Sequence, residues 1–82
     1  MRNEILKLLE DNFPGIDFLH ETNLTSSDLL DSLSVVTVIG LIRVNLGVTI
    51  PTSLMNSKNF ESLDSICSTV EKAKELTENH HD

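Results

Sequence analysis

Tryptophan and tyrosine are absent from this 82-residue chain, and aromatic residues make up only 4% of it, as Phe13, Phe18 and Phe60. Its core must therefore be built from Leu, Ile and Val. Basic residues are also scarce, six against thirteen acidic ones, for a formal net charge of −7. Such a surface repels phosphate backbones and offers no basic patch for counterion release, so no nucleic acid partner is expected. The single cysteine, Cys67, leaves nothing for an internal disulfide. No stretch approaches the ~18 consecutive apolar residues of a membrane-spanning helix. The opening MRNEILKLLEDN has no apolar run of signal-peptide length. Membrane insertion is thus not expected, and the cytoplasm is the expected compartment.

What the chain does have is helical periodicity. From Arg2 to Asn12, the apolar Ile5, Leu6, Leu8 and Leu9 fall on one side of a helical wheel. That helix is expected to stop near Phe13, because Pro14 disfavours helical geometry in the residue before it and Gly15 follows. Between Pro14 and Asp31 the pattern lapses into single apolar residues, Ile16, Phe18, Leu19, Leu24 and Leu29, around the turn-forming run NLTSSD. A connection this long is uncommon in a compact domain and usually functional. Its apolar residues are expected to pin it into order.

A second helix is expected from Ser32 to Leu46, with Gly47 as its C-terminal stop. Its VVTVIGLI is β-branched enough to pass for a buried strand, but the length of the segment, and the lack of any other strand-like segment to pair with, favour a helix. Pro51 and Thr52 can open a short helical turn around Leu54 and Met55. A last helix begins at the N-cap Ser62 and carries Leu63, Ile66, Cys67, Val70 and Ala73 at helical spacing. The expected architecture is all-α: a small four-helix bundle with a long first loop and a short third helix, forming one domain over residues 1–82 and fraying over 76–82. A monomer is expected.

Catalytic equipment is missing. A nucleophilic serine needs a base and an oxyanion site, yet His20 lies in the long loop and His80 and His81 in the tail. One cysteine and three scattered histidines show no metal-ligand spacing. Cys67 sits on the apolar stripe of the last helix and reads as core filler. An enzyme with Ser32 or Cys67 as nucleophile is set aside on these grounds. In the stretch DLLDSLSVVTVIGLI, Ser32 stands just where the long apolar pattern begins. Either Asp31 or Ser32 can cap the helix, since both side-chain oxygens can accept from the free amides of the first turn.

The order of these pieces resembles the acyl, peptidyl and D-alanyl carrier proteins. The resemblance runs through the first helix, the long loop, Asp31-Ser32-Leu33, GVTIP and the closing NFESLDSI. The form LLDSLS is similar to the D-alanyl carrier version of the motif. The resemblance implies the acyl carrier type of four-helix bundle, with Ser32 as the attachment point of 4′-phosphopantetheine and Asp31 and Leu33 as its flanking motif residues. A phosphopantetheinyl transferase would add the group from coenzyme A. A cargo-loading ligase or acyltransferase and downstream enzymes would then use it, and the carrier itself would catalyse nothing. A rival reading needs no resemblance: a helical protein–protein interaction module without a prosthetic group, with Ser32 as a cap.

One departure separates this chain from many acyl carriers, whose second helix is studded with Glu. Here no Asp or Glu occurs between Asp31 and Glu61. At ~100° per residue, Val35, Val38, Ile39, Ile42 and Leu46 share a face that should be core. Leu33, Leu41 and Val44 fall on the other side, beside Ser34, Thr37 and Gly40. Leu33, Thr37, Gly40, Leu41 and Val44 are therefore the candidate partner-binding surface.

Overall fold

The computed structural model describes residues 1–78, which form three α-helices: α1, Arg2–Asn12; α2, Ser32–Leu46; and α3, Leu63–Glu78. Between α2 and α3 lie two 3-10 turns, Thr52–Leu54 and Ser57–Phe60, and no strand occurs among the described residues. The all-helical class is as expected, but a fourth α-helix is not formed among these residues. The reason is local. Asn56 has extended backbone between the two turns, and its side chain accepts from Asn59 N to start the second turn afresh. The two turns therefore cannot merge into a longer helix.

The expected boundaries of the long helices follow from their ends. α1 stops at Phe13, directly before Pro14. α2 closes on Gly47 in the left-handed region at φ 69°, a conformation that a Cβ would strain. Ser62 caps α3, its hydroxyl accepting from Ser65 N at 3.1 Å. α3 runs through Leu76 and Thr77 to Glu78, where fraying was expected from residue 76. The rest of the expected tail, including His80 and His81, lies outside the described residues.

One apolar core joins all the elements. Ile5 and Leu9 of α1 meet Val38 and Ile42 of α2, and Leu63, Ile66, Val70 and Ala73 of α3. Cys67 is buried with them, and burial pushes its thiol above the ordinary value. Phe60, at the end of the second 3-10 turn, is fully buried, which ties that turn to α3. Among the described residues no helix is long and apolar enough to cross a membrane.

The long loop is ordered because it contributes to this core. Phe18, Leu24 and Leu30 are buried, and the Phe18 ring meets Phe13 edge-on at 6.3 Å. Leu19 and Leu29, expected to help pin the loop, face outward instead. Leu30 is the anchor next to the serine, and its backbone N–H donates to Leu24 O at 2.8 Å. That bond closes residues 24–30 into a compact excursion, with Asp28 in the left-handed region at φ 66°, which aspartate tolerates better than most residues.

Candidate functional site

Leu30 is buried, so the chain leaves the core at Asp31 with its direction fixed and enters α2 at Ser32. Asp31 is the N-cap: its Oδ1 accepts from Ser34 N at 2.8 Å, and its backbone oxygen accepts from Val35 N at 2.9 Å. The bond from the Ser34 amide holds the Asp31 carboxyl below its ordinary value, assisted by the Ser34 side chain. The capping role is thereby filled by Asp31. Ser32 is the first residue of the helix, is exposed, and its hydroxyl has no hydrogen-bond partner among the described residues.

The serine opens onto a cleft of about 320 Å³ with three walls. The loop contributes Thr25 and Leu30, and α2 contributes Ser32, Val36 and Ile39; the third wall is the Met55–Ser57 segment. Val36 is 63% exposed and Met55 43% exposed, so the cleft has an apolar rim beside the hydroxyl. Its polar lining comes from Thr25, Asn56 and Ser57 together with the carboxylates of Asp28 and Asp31.

The exposed face of α2 continues from this rim. Leu33 is 79% and Val44 82% exposed, and Thr37 and Gly40 are exposed beside them. A Cβ built at Gly40 meets nothing within 4 Å, so that position faces open space. Leu41, expected on the exposed side, is instead partly buried, because it lies only about 80° around the helix from the midpoint of Val38 and Ile42. The core face is narrower than the wheel suggests. Val38 and Ile42 are fully buried, whereas Val35, Ile39 and Leu46 are partly buried and pack on the edge of the core. Val35 and Ile39 border the open cleft, which explains their exposure.

Sequence reasoning missed Val36 and Glu61, as well as the cleft residues Thr25, Met55, Asn56 and Ser57. Val36 stands one helical turn after Ser32, and that i, i+4 relation was available to find it. Glu61 carried no such signal, because its partners are 35 and 36 residues away. Its carboxylate accepts from Thr25 N at 2.9 Å, Ser26 N at 3.0 Å and Ser26 Oγ at 2.8 Å. Its backbone oxygen also accepts from Leu24 N at 2.8 Å. The Thr25 and Ser26 bonds bring the Glu61 carboxyl from an ordinary value of 4.5 to about 2.

A pH prediction follows from both depressed carboxylates. A group whose pKa is lowered by folding contributes stability that is complete above its unfolded value and disappears as pH falls through the folded one. For Glu61 that window runs from 4.5 down to about 2, and Asp31 acts in the same direction. Thermal melts should therefore be flat around neutral pH and decline through this acid window. Glu61→Gln should remove part of the decline; an unchanged acid slope in that variant would contradict the assignment.

No family model, curated protein or solved structure matches this chain in comparisons with known proteins.

Proposed function

We propose that the chain is a carrier protein whose Ser32 receives 4′-phosphopantetheine and whose partners dock on the exposed face of α2. The observation that carries this reading is the division of labour at the helix start. Asp31 does the capping, which leaves the Ser32 hydroxyl exposed, unbonded to the described chain and beside a cleft. In this reading the two 3-10 turns occupy the place of the short third helix of the carrier-type four-helix bundle.

Attachment requires little of the carrier. The Ser32 oxygen forms a bond to phosphorus as the pyrophosphate bond of coenzyme A breaks; the nucleotide portion leaves, and the serine proton passes to a base of the transferase. The positive end of the α2 dipole favours the resulting phosphodiester, while the Asp31 charge opposes it at short range. Val36 and Met55 give an extended arm an apolar surface to lie against, with Asn56 and Thr25 at the polar edge. When bound, the group supplies a thiol that holds an acyl or aminoacyl cargo as a thioester. The test is direct: incubate the protein with coenzyme A and broad-specificity transferases, then weigh it intact. Addition of one phosphopantetheine mass supports the reading, and no addition with several transferases defeats it.

Docking should rest on apolar contact more than on charge. α2 carries no acidic residue, and Arg43 is its only charged one. Trimming Val44 to Ala removes two methyl groups, roughly 1.6 kcal/mol if they are buried by a partner, near a tenfold effect. An exposed ion pair contributes about 0 to 1 kcal/mol and weakens with salt. Val44→Ala should accordingly slow cargo loading about tenfold at both low and high salt. A steep fall with salt and an indifferent Val44→Ala would show that partners read charge instead. The same exposed face also favours the second reading, an interaction module without a prosthetic group. In that case Val44→Ala would weaken partner binding although no mass is ever added to Ser32.

A further inference from the structure

The long loop is fastened to the chain just before α3 at three successive residues. Leu24 N donates to Glu61 O, the Thr25 and Ser26 amides donate to Glu61 Oε1, and the Ser26 hydroxyl donates to Oε2. Residues 23–27 make one helical turn, closed by Ser27 N donating to Asn23 O at 2.9 Å. Glu61 therefore caps that turn from a distant part of the chain, supplying a carboxylate where free amides need an acceptor. A second strut joins the loop to the Met55–Ser57 wall of the cleft, Thr25 Oγ1 donating to Ser57 O at 3.0 Å.

This fastening leads to the serine through an unbroken series of contacts. Leu24, held by Glu61, accepts from Leu30 N at 2.8 Å, and Leu30 is buried. Asp31 comes next and caps α2, and Ser32 follows. Thr25 and Ser32 face the same cleft from two of its walls. We propose that Glu61 is a positioning residue for Ser32: by latching the loop to the start of α3, it fixes the entry into α2 and holds the serine in the conformation that a transferase accepts. The proposal rests on the carrier reading for its enzymatic arm. A loosened loop would leave only a fraction of molecules in the competent conformation, and the apparent KM for the carrier would rise by the inverse of that fraction while kcat is kept.

The test compares Glu61→Ala, Glu61→Gln and wild type, with Ile5→Val as a control in the α1 part of the core, which makes none of the Glu61 bonds. Two readouts are used, the kinetics of phosphopantetheine transfer with the carrier as varied substrate and hydrogen exchange at the Ser34 amide. In Glu61→Ala the KM should rise by about tenfold at near-constant kcat, and Ser34 exchange should quicken by more than tenfold, because exchange follows the open fraction, which passes from a small minority to the majority. Glu61→Gln should restore most of both, because its amide oxygen can accept from Thr25 N and Ser26 N and its NH2 can donate to the Ser26 hydroxyl. Ile5→Val should leave KM unchanged, since a folded majority keeps the entry into α2 intact. The latch is refuted if Glu61→Ala leaves Ser34 exchange at the wild-type rate, or if Ile5→Val raises KM as much as Glu61→Ala does. Should even the wild type take up no phosphopantetheine, the carrier reading fails, and Ser34 exchange alone then decides whether Glu61 governs the helix entry.

Discussion

Ser32→Ala is expected to abolish addition of the phosphopantetheine mass while changing stability by no more than about 0.5 kcal/mol. Both halves come from the same geometry. The oxygen that would bond phosphorus is removed, and no other side chain stands in its place at the start of α2. The helix loses little, because its cap is the Asp31 carboxylate on Ser34 N and alanine is a good residue inside a helix. A substitution that removed a true cap would cost about 1 kcal/mol. Intact mass and a thermal melt on the same sample therefore separate the two roles once attributed to this serine. Continued modification of Ser32→Ala would place the attachment elsewhere. A large loss of stability would mean that the hydroxyl supports the fold after all.

Phe18→Ala should have the largest effect on the fold, destabilising it by about 3 to 5 kcal/mol. Phe18 is 1% exposed, lies outside every helix, and packs against both the core and Phe13. A domain this small has a stability near the low end of the usual ~5 to 15 kcal/mol, so the substitution removes most of it. Denaturant unfolding would show the loss as a much lower midpoint. A Phe18→Leu variant, which keeps much of the apolar volume, should retain a measurable transition. If Phe18→Ala unfolded at nearly the wild-type midpoint, the loop would be an appendage and its role in presenting Ser32 would lose its physical basis.

The helices were legible because their signals are local. Apolar spacing placed α1, Gly47 ended α2, and Ser62 started α3. The choice between Asp31 and Ser32 as cap could not be read from types alone, since both side chains can accept from the same amides; backbone direction decided it. Outward-facing Leu19 and Leu29 show a similar limit: in an irregular segment no period tells which leucine turns inward. On α2, nearly continuous apolarity blurred the core edge, so Val35 and Ile39 were assigned to the interior although the cleft opens beside them. Glu61 was invisible for another reason, since its bonds join segments that only the folded chain brings together. The two 3-10 turns likewise depend on how Asn56 bonds Asn59, a competition that composition does not weigh.

The burial of Cys67 bears on how long a carried load would survive. Thioesters pass readily to any nearby thiolate, and a sulfur on the carrier's own surface would be the most concentrated acceptor available. Here the one cysteine is largely buried on the α3 face of the core, and burial raises its thiol above the ordinary value. On the carrier reading proposed above, this thiol would be a poor internal acceptor of the cargo while the chain stays folded. Unfolding would end that protection, so on the same reading retention of the cargo would depend on the integrity of the core.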